Sequence, residues 1–273
     1  MINVLILNWN SAAEVATLVQ SLSMSVGAKY RIILIHNATN DEQELRAIPD
    51  KYSDIEFHVV INETNLGYAG GNNAGYEYLR QQSLDGDLVV INPDVSVAPN
   101  TLHELQKASL RDHVGLVMCR TYDTNGQHLY DYIRLDGFIN KYHFSESLTI
   151  DTDYAAGSCL YIKRAAADQC GLFDADFFMY WEEVDLAFRY RDYGYKSIST
   201  TKTKIIRAPN PISRSENAIY FSVLNSKRIK DRYIKIGYFK YLFVNFLSAL
   251  YASVRYHSFK YLKSFIKAFK YEN

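Results

Sequence analysis

Short apolar runs recur along the first half of the chain, each closed by a polar cluster and followed by a segment of helical spacing. Residues 4–7 (Val-Leu-Ile-Leu) read as a buried strand ending in Asn8-Trp9-Asn10-Ser11. A helix carrying Val15, Leu18, Val19 and Leu22 follows, with Ser11 as its N-cap and Glu14 completing a capping box. Residues 31–35 form the second strand, ending at His36-Asn37-Ala38-Thr39, and residues 41–47 the next helix. Residues 56–61 give a third strand, 88–91 a fourth, and 114–118 another, with a helix over 101–109 between the last two. Alternation of this length predicts right-handed βαβ units and a parallel sheet, hence an α/β fold. Residues 154–162 read as a small-residue turn entering a strand, and 163–169 as a short helix closed by Gly171 at C′. Residues 122–150 have little periodicity; a substrate-site excursion and a solvent-exposed insertion both fit them.

Composition bounds this picture. The 273 residues, 48% hydrophobic and 22% charged, describe a folded globular chain able to bury a full core. Formal net charge is zero but unevenly placed: from Lys227 onward eleven Lys and Arg face only Asp231 and Glu272. Such a basic tail predicts an anionic partner. Cys119, Cys159 and Cys170 have no metal-like spacing and read as small buried hydrophobes in a reducing compartment. The chain opens directly on strand residues without the basic start of a signal peptide, which predicts a cytoplasmic location.

Three stretches carry candidate chemistry. In Leu88-Val89-Val90-Ile91-Asn92-Pro93-Asp94, Pro93 removes a backbone donor and stops the strand, leaving Asp94 at its carboxyl end. That edge binds ligands in open α/β sheets, and a hard cation bridging phosphates takes such an oxygen ligand. An ordinary Pro-Asp turn fits the same residues. Residues 65–75 (Asn-Leu-Gly-Tyr-Ala-Gly-Gly-Asn-Asn-Ala-Gly) suit either a phosphate-approaching loop before a helix or a plain glycine-rich connection. Residues 171–186 deliver Glu182, Glu183 and Asp185 after the aromatic run 177–181. At helical spacing Glu182 and Asp185 share a face, with Glu183 about 100° away from Glu182. Acids in a first helical turn also satisfy the macrodipole. Aromatic walls, however, desolvate a carboxylate and raise its pKa, the profile of a general base.

Together these motifs, in this order, resemble the inverting GT-A glycosyltransferases of family 2, and within them the bacterial rhamnosyltransferase-like enzymes of O-antigen and capsule assembly. The similarity covers residues 2 to about 207. It implies a Rossmann-like, mostly parallel sheet flanked by helices, and a nucleotide-sugar donor with Mg²⁺ or Mn²⁺ against its pyrophosphate. Asp94 matches the last acid of the family's metal-binding element, with Asn92 in place of its first acid. Glu183 matches the catalytic base, with Glu182 and Asp185 beside it. Asn8, Asn10, Asn37, Gly67 and Asn73 fall where the family contacts the nucleotide, and Gly157 falls near the sugar and diphosphate. Two departures stand out: His36 occupies the usual place of an acid, and Arg207 that of a metal-binding histidine. Arginine cannot ligate a cation but grips phosphate through its planar fork, so weaker metal dependence is expected.

Residues 242–254 are apolar but too short to span a bilayer. From Phe259, the residues Phe259, Leu262, Phe265, Ile266 and Phe269 share one helical face, with Lys260, Lys263, Lys267 and Lys270 on a neighbouring one. That pattern predicts a helix lying on an anionic membrane surface, although a helix packed on the catalytic domain with a solvated lysine side also fits. Base-reading motifs are lacking, so no nucleic-acid partner is expected. The expected organisation is a GT-A catalytic domain over residues 1–212 and a basic, helical, membrane-associating extension over 213–273. The expected activity is transfer of a sugar, foremost L-rhamnose from dTDP-rhamnose, onto a lipid-linked glycan at the inner face of the cell membrane. A UDP-hexose or UDP-galactofuranose donor, and a non-catalytic nucleotide-sugar-binding scaffold, remain as alternatives. Oligomeric state, monomer or homodimer, is not encoded in these patterns.

Overall fold

The computed structural model describes residues 1–208, 216–235 and 237–270. The expected domain boundary at residue 212 lies outside them. In order, the elements are β1 (Ile2–Asn8), α1 (Ala12–Ser23), β2 (Tyr30–Asn37), α2 (Glu42–Arg46), β3 (Glu56–Asn62), α3 (Gly67–Gln81), β4 (Asp87–Ile91), β5 (Val95–Val97) and α4 (Thr101–Ala108). There follow β6 (Val114–Asp123), β7 (His128–Tyr130), β8 (Tyr132–Asp136), β9 (Ile139–His143), β10 (Thr149–Asp151), β11 (Cys159–Ile162), α5 (Arg164–Cys170), α6 (Glu182–Asp192) and β12 (Lys196–Arg207). Helices α7 (Glu216–Arg232), α8 (Tyr238–Arg255) and α9 (Lys260–Lys270) complete the described chain.

The main sheet runs β10-β12-β6-β11-β4-β1-β2-β3. The first four strands pair in parallel, as the βαβ alternation predicts. Beyond β4 the sheet turns mixed, because β11 runs antiparallel to both β4 and β6 while β12 is again parallel to β6. Helices cover both faces: Val4 and Ile6 join Val15, Leu18 and Leu22 of α1 on one, and Leu5, Ile33 and Ile35 join Leu79 of α3 on the other. Residues 122–150 are not an unstructured insertion; they contain β7, a β8–β9 hairpin and β10.

Two local expectations change. Ser11 makes no capping bond to α1; its hydroxyl donates to Asn8 Oδ1, and the Ala12 amide donates instead to Asp41 Oδ2 at 3.0 Å. A carboxylate brought from α2's approach thus replaces the local capping box. The run 67–75 is not a loop but the first turns of α3. A Cβ at Gly71 would lie 2.5 Å from Leu7 Cδ1, and one at Gly75 2.4 Å from Ile35 Cδ1, so these glycines let the helix press on the sheet. All three cysteines are free, with Cys119 and Cys159 buried. No described helix is long and apolar enough to cross a membrane.

Candidate active site

The donor side of the site grows out of the turn after β4. The Asn92 amide donates to the Ser158 carbonyl (3.0 Å) and Val95 N–H to Asn92 O (3.2 Å), so Asp94 sits at the tip of a tight turn. β5 then pairs antiparallel with the end of β12, Val95 opposite Arg207, and Ala208 N–H donates to the Asp94 carbonyl at 2.8 Å. This register sets Arg207 Nε 3.5 Å from Asp94 Oδ2. That oxygen is buried and has no hydrogen-bond partner.

The acid side is built on strain. Tyr180 and Trp181 both hold left-handed backbone, φ 68° and 72°, conformations that cost non-glycine residues roughly 1–2 kcal/mol each. They turn the aromatic run sharply into α6. Glu182 is only 6% exposed, whereas Glu183 is partly open, and each has a buried Oε2 without a partner. Burial, then the Glu183 charge, pushes the Glu182 carboxyl well above its ordinary range. Burial also raises Glu183, while a backbone amide, then Glu182 and the Arg207 charge, draw it back. The two adjacent desolvated carboxyls thus favour a shared proton, with Glu182 the more strongly raised of the two.

Tyr68 joins the two sides. Its hydroxyl donates to the Gly157 carbonyl at 2.8 Å, and burial followed by the charges of Glu182, Glu183 and Asp94 raises its pKa well above the usual phenol. Tyr180 is pushed up to about 12 by burial and Glu182, and burial raises Tyr142 and Tyr154 with Glu183 contributing. Arg207 thus pairs with Asp94 and acts on Glu183, with Tyr68, Tyr142 and Tyr180 within reach of the same charges.

The third acid has other work. Asp185 is fully buried; Oδ2 accepts from Arg189 Nε (2.7 Å), and Oδ1 from Arg232 (3.0 Å) and Tyr233 (2.8 Å). With both oxygens engaged it anchors α7 to α6 instead of presenting an open base. That anchor is one of several. Asn225 of α7, fully buried, donates to the carbonyls of Met179 (2.8 Å) and Tyr180 (3.0 Å), and Arg228 donates to Asp176 O at 2.5 Å. Trp181 Nε1 donates to Ser222 at 3.4 Å, and Phe178 stacks on Phe221 at 4.9 Å.

Of the expected nucleotide contacts, Asn8, Asn10 and Asn37 lie at the carboxyl ends of β1 and β2 and Gly67 and Asn73 in α3, and most are occupied internally. Asn8 is buried, donates to Asp41 Oδ1 (2.8 Å) and accepts from Ser11. Asn37 donates to Asn65 (2.9 Å) and accepts from Leu66 N–H (3.1 Å). Asn73 exchanges two bonds with the Phe173 backbone, 2.7 and 3.0 Å, a clamp between α3 and the aromatic run. Gly67, φ 71°, lies where a Cβ would come within 2.3 Å of the Phe178 carbonyl, and Tyr68 N–H donates to that carbonyl. Asn10 is exposed, with φ 52°.

Three residues escaped sequence reasoning. Asp41 brings a carboxylate to the ends of β1 and β2: burial raises it, but bonds from Thr39, Asn8 and the Ala12 amide hold it below the usual range. His36 itself is buried and accepts from Thr39 N–H at 3.1 Å. Trp9, 46% exposed at the end of β1, offers a flat apolar surface at the same edge, and its position between two asparagines was visible in the sequence. Tyr68 had no signal beyond its place in the glycine run.

For a divalent cation the residues fit sparsely but adequately. Asp94 contributes one partnerless buried oxygen, and no group of three or more His, Cys, Asp or Glu among the described residues could enclose an ion. Mg²⁺ and similar ions accept one or two carboxylates and draw their other ligands from water and substrate phosphates.

A mixed α/β sheet with carboxylates gathered near one edge sets the class, and comparison with known proteins supplies the family. The model of glycosyl transferase family 2 matches residues 3–171, and the chain belongs to that family. A low-salt glycan biosynthesis hexosyltransferase, Agl10 of Haloferax volcanii, is 23% identical over 70% of this chain, which spans 61% of that relative's length. The N-acetylglucosaminyl-diphospho-decaprenol L-rhamnosyltransferase of Mycobacterium tuberculosis is 24% identical over 68% of this chain and 69% of its own. The solved structure of the mannosyltransferase PcManGT from Pyrobaculum calidifontis, in complex with GDP-Man and Mn²⁺, shares the fold with TM-score 0.63 at 15% identity, covering 98% of this chain and 73% of its own. The architecture is that of GT-A glycosyltransferases, with helices added at the C-terminus.

Proposed function

We propose that the protein is an inverting glycosyltransferase that moves a sugar from a nucleoside diphosphate donor, dTDP-L-rhamnose first, onto a lipid-linked glycan in cell-surface polysaccharide biosynthesis. The observation that carries this reading is the gathering of Asp94, Arg207, Glu182 and Glu183 around Tyr68, with Arg207 paired to Asp94 and its charge acting on Glu183. Glu183, partly open and ionised, takes the proton from the acceptor hydroxyl as that oxygen attacks the anomeric carbon. Glu182 keeps its own proton and donates to Glu183, which holds the negative charge on the accessible member of the pair. A single displacement with one base and no protein nucleophile inverts the anomeric centre. Arg207 donates to the diphosphate oxygens as the leaving group gains charge. A divalent cation held at Asp94 would neutralise part of that same charge. Trp9 offers its ring to the nucleotide base.

The Mycobacterium relative's named reaction supports rhamnose and a polyprenyl-linked acceptor. The Haloferax relative is named a hexosyltransferase, which supports a hexose donor as a second reading; a UDP-hexose or UDP-galactofuranose would serve the same chemistry. A lipid-linked acceptor suits a protein peripheral to the inner face of the membrane, with residues 1–212 as the catalytic part and 213–273 as the associating part. Helix α7 then serves both, because it braces the turn before Glu182.

Glu183→Gln tests the assignment. Transfer is expected to be lost while a thermal shift with the donor persists. Wild-type turnover in that variant would end the reading. The same thermal-shift assay across dTDP-rhamnose, UDP-hexoses and UDP-galactofuranose separates the two donors.

A further inference from the structure

The helix expected from sequence to lie on the membrane is not the one best placed to do so. In α9, Tyr261, Ser264 and Ala268 are buried, Phe265 meets Phe246 of α8 at 6.0 Å between ring centroids, and Lys267 sits 5.3 Å over the Tyr220 ring of α7. Among the described apolar side chains of α9, Ile266 is the exposed one, with Phe259 in the preceding turn. Helix α9 is largely spent on packing.

Helix α8 presents the opposite picture. Its inner side, Tyr241, Ala249, Ala252 and Ser253, is buried against the protein. Its outer side carries Phe243, Phe246, Leu247, Leu250, Tyr251 and Val254, all exposed, Phe243 at 61% and Val254 at 66%. At about 100° per residue these six fall within one arc of roughly 140°. A continuous apolar face of this kind on a soluble protein marks an interaction surface.

Charge selects the occupant. Between Tyr233 and Tyr271 there is no Asp or Glu, while Lys235, Lys240, Arg255, Lys260, Lys263, Lys267 and Lys270 all fall there. Lys240 and Arg255 lie on α8 itself, at one edge of the arc. An apolar face within an acid-free basic segment matches an anionic lipid surface. A two-fold pair of these faces would instead set the basic segment against its own copy.

We propose that the outward face of α8 seats this protein on an anionic bilayer, lying flat in the interface, with α9 as the strut joining it to α7. This deepens the membrane location proposed above and does not depend on which sugar is transferred.

The test is sedimentation of the full chain with phosphatidylcholine vesicles and with vesicles containing phosphatidylglycerol. Wild type is expected to bind the anionic vesicles and to release as salt is raised. The double variant Phe243→Ser/Leu250→Ser is expected to bind them roughly a hundredfold more weakly, since each lost side chain forfeits about a factor of ten in affinity. Leu110→Ser, which removes an exposed leucine after α4, is the control and is expected to bind like wild type. Circular dichroism confirms folding, and turnover with a water-soluble acceptor reads catalysis separately, so failure of the transferase reading leaves the vesicle result intact. Three outcomes overturn the proposal: wild type bound to neither vesicle, the double variant bound like wild type, or a wild-type dimer that the double variant dissociates without change in vesicle binding.

Discussion

Two adjacent carboxyls share one desolvated place in the first turn of α6, and on the proposed reading their unequal access divides their roles. Glu182, almost fully buried, has its carboxyl raised by burial and by Glu183, more strongly than Glu183 itself, so on that reading it is the member that keeps the proton. Glu183→Gln removes the base, and loss of transfer by about 10²- to 10⁴-fold is expected. Glu182→Gln keeps a donor toward Glu183, so steady-state assays are expected to show most of the activity retained. The acid limb of the rate profile should lie above the ordinary glutamate pKa of about 4.3, because burial raises Glu183. The same shift carries a stability consequence. A carboxyl whose folded pKa lies above its unfolded one contributes stability fully below the unfolded pKa, and loses it as pH rises through the folded pKa. Glu182→Gln is therefore expected to match wild type in melting temperature near pH 4 and to exceed it increasingly toward pH 8. Equal melting temperatures across that range would show that Glu182 is not held protonated.

At the scale of elements, the catalytic turn is supported from both sides by helices distant in sequence. Asn225 satisfies the carbonyls of Met179 and Tyr180, and Gly67 lets α3 approach the Phe178 carbonyl. The Asn225 amide satisfies two carbonyls of a turn whose left-handed Tyr180 and Trp181 must be held in place by their surroundings. Asn225→Ala is expected to lower kcat tenfold or more with donor KM little changed, whereas Ser222→Ala, which removes one 3.4 Å bond, is expected to have a small effect. Gly67→Ala, strained in φ and colliding with backbone, is expected to lose both stability and activity. These supports explain what the sequence disclosed and what it withheld. Periodicity revealed β1, β2, β4, α1 and α4 because each buries a face of fixed period against the sheet. The β8–β9 hairpin was also signalled, by Ile133 and Leu135 alternating with polar neighbours and by Gly137 at φ 62°, but its exposed second strand masked the pattern. Asp41 and Asn225 could not be read. Their partners, Asn8 and the Met179–Tyr180 carbonyls, lie 33 and about 45 residues away along the chain, beyond any local pattern.

For the whole molecule, the decisive contact joins the two halves of the sheet. Asp94 leaves the parallel half after β4, Arg207 ends β12 in the mixed half, and β5 pairing with β12 brings them together. Whatever binds the donor diphosphate must satisfy both. On the proposed reading, the Asp94 oxygen that makes no hydrogen bond and the guanidinium 3.5 Å from it would divide the diphosphate charge between a cation and an arginine. Arginine's share does not depend on metal, so wild type is expected to keep part of its donor affinity in the presence of a chelator. A hydrogen bond to a charged group contributes about 1.5–3 kcal/mol, so Arg207→Ala is expected to weaken donor binding at least tenfold under chelation. Adding Mn²⁺ should restore more of the affinity in the variant than it adds in wild type. Isothermal titration with the nucleotide sugar, with and without Mn²⁺, measures all four values. If Arg207→Ala binds donor like wild type under chelation, the arginine is only a partner for Asp94, and the metal carries the diphosphate alone.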